Sequence, residues 1–141
     1  MARRPLASLG ALGIAATLVV LVGCAAASVS LDGTQWRLTG WTVSSIDPAA
    51  VTITADFADG QISGNSGVNS YSGPCTVGPG EAFSAGPLAA TLMAGEEPAM
   101  RAETAYLTLV GQAKSYKVQE GTLTLFDAGG NESLIFASAT K

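Results

Sequence analysis

With no His among its 141 residues, the chain's candidate groups for proton transfer or nucleophilic attack are carboxylates, hydroxyls and two thiols. Lacking imidazole, it has no Ser–His or Cys–His pair and no His metal ligand. Two cysteines are too few for a four-cysteine zinc site. Paired carboxylates could hydrolyse a glycosidic bond if held about 5–9.5 Å apart. The candidate pairs are Asp56 with Asp59, flanking a turn, and Glu96 with Glu97, opening a helix. Both stand where solvated acids commonly stand, so a hydrolase is the third of three readings. Gly64-Asn65-Ser66-Gly67-Val68 lacks the closing Gly of a nucleophile elbow. No Lys precedes Lys114, which excludes a phosphate loop of Gly-Lys-Ser/Thr type. Asn131-Glu132-Ser133 has the form of a glycosylation sequon and reads as a turn. The expectation is a protein that is not an enzyme, with no catalytic residues, no metal and no cofactor.

The chemistry the sequence does announce is at Cys24. Met1-Ala2-Arg3-Arg4 is a short positive start, and Leu6 to Val22 follows without a charge. That pattern reads as a secretory signal peptide rather than part of a fold. The run closes on Leu21-Val22-Gly23-Cys24, which resembles the bacterial lipobox. The resemblance implies a diacylglyceryl group on the Cys24 sulfur and cleavage before it, giving a signal peptide over 1–23. Each buried CH2 contributes roughly 0.8 kcal/mol, and two acyl chains hold where one is marginal. Cleavage removes Arg3 and Arg4 but no acid, so the mature chain is more acidic than the whole. The tether over 24–30 is short: the six residues after Cys24 reach at most about 21 Å. The implied location is the extracytoplasmic side of a cell membrane, anchored by lipid.

With Cys24 acylated, Cys75 has no partner within the chain. No Lys or Arg lies near it in sequence to lower its pKa, so it reads as a small buried hydrophobe. The chain carries 7 Lys+Arg against 11 Asp+Glu, and its charged fraction of 13% with 48% hydrophobic residues suits one folded domain. The acidic balance argues against nucleic acid as a partner.

Residues 31–138 read as mostly β with one helix. Gln35–Val43 is rich in strand formers, with Trp36, Leu38 and Trp41 as inward candidates. Val51, Ile53, Ala55 and Phe57 alternate onto one face, and Asp59-Gly60 is a hairpin turn signal. Gly64 to Gly80 holds five glycines and two prolines and is expected to be irregular strand and loop. Three short strands follow at 115–119, 122–126 and 133–137. A helix over 96–112 carries an apolar stripe of Ala99, Ala102, Tyr106 and Val110, with Glu96, Glu97 and Pro98 in its first turn. The expected class is α+β: a small curved antiparallel sheet or partly closed barrel with one packed helix.

The most distinctive stretch is Gly64-Asn65-Ser66-Gly67-Val68-Asn69-Ser70-Tyr71-Ser72-Gly73, followed downstream by Thr91-Leu92-Met93-Ala94. In order and spacing it resembles the META domain family of HslJ-like, heat-inducible lipoproteins. Gly64, Gly67, Asn69, Tyr71 and Gly73 match the first family motif; Thr91, Met93 and Ala94 match the second. Glu103 stands for the family's helix Glu. Val68 and Gly95 stand where the family usually has two Cys, which implies a disulfide that this chain lacks, worth roughly 3 kcal/mol. The resemblance also implies a stress-related envelope role. From the residues themselves, Asn65, Asn69 and Tyr71 could form a recognition loop, or the glycines and Asn could supply turn chemistry that closes a barrel.

Three functions remain in view. The first is a membrane-anchored module, not catalytic, that binds an envelope protein or a cell-wall partner. The second is a carrier of a small apolar ligand in a barrel interior lined by Trp36, Phe57, Phe83, Leu123 and Phe136. The third is the carboxylate-dependent hydrolase.

Overall fold

Asp59 and Gly60 both have positive φ, 53° and 72°, the conformation of a two-residue hairpin turn whose twist suits the flanking strands. Glu120 and Gly121 repeat it at 52° and 76°. These two turns set the register of two hairpins around which the domain is built. The computed structural model describes residues 29–140. The signal peptide, the lipobox residues Leu21, Val22 and Gly23, and the lipidation residue Cys24 lie outside the described residues.

Nine strands and one helix follow in order: β1 (Thr34–Trp41), β2 (Thr54–Ala58), β3 (Gln61–Asn65), β4 (Ser70–Gly78), β5 (Ala82–Ala85), β6 (Ala89–Ala90), α1 (Glu97–Gln112), β7 (Ser115–Gln119), β8 (Thr122–Phe126) and β9 (Glu132–Ser138). Single turns of 3-10 helix at Pro48–Ala50 and Pro79–Glu81 link β1 to β2 and β4 to β5. The strands run β3-β2-β1-β9-β8-β7-β5-β4, and β4 pairs back onto β3. Every pairing is antiparallel. The result is a closed eight-stranded barrel, with β6 paired further along the same edge of β4 as β5, at Tyr71↔Ala90 and Ser72↔Ala89.

The barrel is therefore closed, not partly closed as the sequence suggests. Closure depends on the segment expected to be irregular. From Ser70 to Gly78 the chain is a nine-residue strand, paired with β3 from Gln61↔Pro74 to Asn65↔Ser70 and with β5 from Cys75↔Ala85 to Gly78↔Ala82. Its inward positions include Gly73, so the apolar alternation that marks a half-buried strand is absent there. Gly73 is required by packing. A Cβ on it would lie 2.6 Å from the Pro87 carbonyl oxygen and 2.7 Å from Leu88 Cδ2, where the chain runs beside the strand between β5 and β6.

Inside the barrel, alternate residues of each strand meet in one apolar cluster that includes Trp36, Leu38, Ile53, Phe57, Leu123 and Phe136. Fully burying a side chain of this size contributes roughly 1.5–3 kcal/mol. Trp41 is only partly buried; its indole N–H donates to the Ile46 carbonyl at 2.9 Å. Helix α1 packs Ala102, Glu103, Tyr106 and Val110 against the barrel. Ala99, on the expected stripe, is half-buried. The Tyr106 ring meets Tyr71 and Phe136 edge-on, with centroids 5.4 and 6.3 Å away. No helix among the described residues is long and apolar enough to cross a membrane.

Candidate functional site

A tight turn joins β3 to β4 and lies against the first turns of α1. Gly67, at φ 120°, brings the turn close: a Cβ there would sit 3.3 Å from the Ala99 carbonyl oxygen. Ser66 N–H donates to the Asn69 carbonyl at 2.8 Å, and the Asn65 side-chain oxygen accepts from Gly67 N–H at 2.8 Å. The turn thereby presents donors in one direction, and Glu103 of α1 receives them. Its Oε2 accepts from Asn69 N–H at 2.8 Å, Val68 N–H at 3.3 Å and Ser66 Oγ at 2.7 Å. Its Oε1 accepts from Asn69 Nδ2 at 2.7 Å. Ser66 Oγ also lies 2.8 Å from the Asn69 carbonyl, but a hydroxyl has one proton, and the charged acceptor is the stronger.

Asn69 is the hub. Besides its two bonds to Glu103, its Oδ1 accepts from Thr91 Oγ1 at 2.8 Å and from Met93 N–H at 2.7 Å, and Nδ2 reaches the Met93 carbonyl at 3.2 Å. The side chain thus ties three segments together: the β3–β4 turn, the 91–93 loop and the helix. Asp in its place could not donate from Nδ2, and Leu would bury unpaired donors and acceptors.

Burial by itself would raise the Glu103 pKa. The side-chain and backbone donors of Asn69, with those of Ser66 and Val68, outweigh it and hold the carboxyl below its ordinary value of 4.5. Glu103 is thus charged, buried and fully engaged. This is opposite to a general acid, which needs a raised pKa and a proton to give. Asp56 lies on the outward face of β2, paired across to Ser63, and Asp59 sits in the hairpin turn. Glu96 and Glu97 are exposed at the start of α1, where Glu97 lies 3.9 Å from Arg101. Neither pair lies in the Glu103 network. No group of three or more metal-ligating residues occurs among the described residues.

Deeper in the barrel, Tyr71 donates to the Thr54 carbonyl at 2.8 Å, which leaves Tyr106 as the donor in the 2.6 Å contact between the two hydroxyls. Burial pushes both phenols up, Tyr106 well above 10. Their neutral forms belong to the folded state, so the stability they contribute is complete below the unfolded pKa of about 10 and is lost as pH rises beyond it. Tyr71→Phe removes the bond to Thr54 and leaves the buried Tyr106 hydroxyl without its acceptor. We expect a loss of about 1–3 kcal/mol in urea unfolding. In wild type, absorbance at 295 nm should show these two rings ionising only as the protein unfolds in alkali.

The structure gathers Gly67, Asn69, Thr91 and Met93 at the Glu103 network, with Asn65 bracing the turn and Tyr71 below it. Gly64, at φ 153°, allows β3 to pass Thr54, whose Oγ1 would lie 2.8 Å from an added Cβ. Gly73 stands apart, further along β4. Asn69 and Tyr71 are buried, and Asn65, Asn69 and Tyr71 all bond within the fold, as turn and closure chemistry would have them. Sequence reasoning left Ser66 unassigned and placed Glu103 only through the family pattern. A signal for Glu103 was present. It falls on the stripe of Ala99, Tyr106 and Val110 at helical spacing, and a charge on a buried face calls for a partner.

The 91–93 loop that Asn69 holds is open to solvent on its other side, with Leu92 98% and Met93 60% exposed. Cys75 is half-buried against the core, and burial, followed by the nearby Asp32 carboxylate, raises its thiol pKa. That suits a packing role better than a reactive thiolate.

The family model for the META domain matches residues 29–140. The chain belongs to the META domain family. The match spans every element of the barrel, and the Glu103–Asn69 network joins both motifs of the resemblance. A search of functionally curated proteins found no match. Two solved structures are similar. A protein from Burkholderia xenovorans, determined by NMR, has a TM-score of 0.67 at 24% identity over 100% of both chains. A second NMR structure has a TM-score of 0.56 at 18% identity, covering 79% of this chain and 96% of its own. At these identities the likeness is one of fold. The Val68–Gly95 pair is where this META domain departs from the family pattern, and the two residues are in contact: a Cβ on Gly95 would lie 3.4 Å from Val68 Cβ.

Proposed function

We propose that this META domain is an exported, lipid-anchored module of the cell envelope that binds a protein or cell-wall partner and does no chemistry of its own. The observation that carries the reading is where the motif's polar groups point. Asn69, Glu103, Ser66 and Tyr71 bond to one another and to the backbone, and no buried side-chain polar atom among the described residues lacks a partner. A network this saturated holds a shape; it does not offer groups to a substrate. The anchor is supported by the Arg3-Arg4 start, the uncharged run and the lipobox ending at Cys24.

The carrier reading has less support. Trp36, Phe57, Phe83, Leu123 and Phe136 pack as members of one contiguous cluster, with Phe57 and Phe83 edge-on at 6.3 Å. A stress-related role accords with the family but with no particular residue.

Cross-linking in living cells followed by mass spectrometry tests the proposal, with Cys24→Ala as comparison. The expected result is a diacylglyceryl-modified Cys24 as the mature N-terminus and a specific partner that is lost in the variant. An unmodified N-terminus would remove the anchor. A modified N-terminus with no specific partner would remove the binding role.

A further inference from the structure

Strand β4 is longer than the neighbour that closes the barrel against it. The β3 pairing begins at Gln61↔Pro74, and Cys75 N–H donates to the Gly60 carbonyl at 2.9 Å. Beyond that point β4 continues to Gly78, paired only with β5. Direction follows from alternation. The Pro74 carbonyl accepts from Gly86 N–H on the β5 side, and Cys75 N–H points to the β3 side. Val77, two residues on, therefore turns its N–H and C=O towards the β3 side, past the end of β3, where a strand edge is open. Its side chain is 39% exposed.

This edge forms one wall of a cleft of about 650 Å³. Buried Leu31, Phe57 and Tyr116 contribute apolar surface, and Asp32 and Asp59 also line the cleft. Asp59 N–H donates to Asp32 Oδ1 at 2.7 Å, which fixes the first carboxylate beside the hairpin turn. Both carboxylates are exposed, and among the described residues no Lys or Arg lines the cleft. None of the motif residues of the Glu103 network takes part.

We propose that this cleft is the partner site, and that it takes a short extended peptide segment bearing a Lys or Arg side chain, paired along the Val77 edge with its cation between Asp32 and Asp59. The inference deepens the module reading and rests on it for the partner's place in the envelope. Strand addition supplies main-chain hydrogen bonds, and the side chains beside the edge supply selectivity. The two carboxylates give the selectivity its sign. A second acidic strand would be repelled, and a small amine alone would leave the edge and the apolar floor unused.

The test uses the full-length protein solubilised in a neutral detergent and a dye-labelled acetyl-Val-Lys-Val-Lys-Val-amide peptide, read by fluorescence anisotropy. The expected result is saturable binding. Asp32→Asn with Asp59→Asn should weaken it at least tenfold, whereas Glu96→Gln with Glu120→Gln, an equal loss of charge elsewhere, should weaken it less than twofold. The Asp→Asn pair keeps a side-chain oxygen for Asp59 N–H, and an unchanged urea midpoint would show that the fold is intact. A peptide N-methylated along its backbone should fail to compete, as should the Val-Glu-Val-Glu-Val counterpart.

Four outcomes overturn the inference. They are no binding, equal weakening by both variant pairs, equal competition by the N-methylated peptide, and competition by butylamine at the same concentration as the peptide. The last would assign the cleft to a small cation. None of them bears on the Cys24 modification or on cross-linked partners, so the anchored-module reading stands or falls separately.

Discussion

Replacing Glu103 with Ala should cost about 3 kcal/mol of unfolding free energy, the upper end of the range for orphaning a buried donor, because several donors lose the same acceptor together. The variant would leave the Asn69 and Val68 backbone N–H groups and one of the two Asn69 Nδ2 protons without their acceptor, while Ser66 Oγ could turn to the Asn69 carbonyl. Glu103→Gln should cost less, because one oxygen still accepts, but its amide would present N–H to donors at one of the two positions. Urea unfolding at neutral pH gives both values. The pH profile separates this account from loss of packing. The folded pKa of Glu103 is depressed, so the stability it contributes is complete above the unfolded value of about 4.3 and is lost as pH falls through the folded one. Wild type should weaken across that acid range, and Glu103→Gln should show a shallower decline there. Parallel acid limbs in the two proteins would mean that the carboxylate is not the titrating support of the turn.

The second large effect is a gain. Val68→Cys combined with Gly95→Cys should form a disulfide and raise stability by about 3–4 kcal/mol over the reduced form of the same variant. The geometry is already close. Val68 Cβ and a Cβ on Gly95 would be 3.4 Å apart, just below the usual disulfide spacing of about 3.5–4.5 Å. The bond would close the loop from the β3–β4 turn to the start of α1, the two segments that Asn69 and Glu103 join by hydrogen bonds. Gly95→Cys alone should destabilise, because its Cβ would lie 2.6 and 2.9 Å from the two Val68 methyl groups. Truncating Val68 in the same molecule relieves that collision. Denaturation with and without reductant measures the gain, and peptide mapping confirms that Cys75 stays out of the bond. Equal midpoints in the two conditions would mean that strain cancels the cross-link.

The Val68–Gly95 contact stands where the family resemblance implies a disulfide. The valine methyls fill the space against the glycine, and the polar hub beside them holds the same two segments. An apolar contact and a saturated carboxylate network do by packing and hydrogen bonding what a covalent link would do by restricting the unfolded chain.

Local chemistry was readable wherever a residue's neighbours in sequence are also its neighbours in space. Asp59-Gly60 and Glu120-Gly121 specify hairpins because positive φ at both positions, which Gly adopts freely, gives a turn that suits the strand twist. The alternation of Val51, Ile53, Ala55 and Phe57, the three strands after residue 114 and the stripe on α1 all depend on periods of two or of three to four residues. The family motifs were legible for the same reason: they are short and ordered along the chain.

What the tertiary structure decided is every feature that joins distant segments. β4 was hidden because Gly73 breaks the alternation of its inward face, and the need for glycine there comes from Pro87 and Leu88, which run beside it. Barrel closure depends on that strand and so could not be read from the expected irregular loop. Asn69 looked like a turn residue or a recognition residue because sequence spacing cannot tell which way an amide points. Its four side-chain bonds run to Glu103, Thr91 and Met93, at separations of 22 to 34 residues. Sequence by itself determined most of the elements, the hairpin turns and the pattern at Cys24, because those follow from local backbone preference and from residue order. Only the fold decided that the motif faces inward and that the acidic cleft beside Val77 lies outside it, because burial and strand register are properties of the closed barrel.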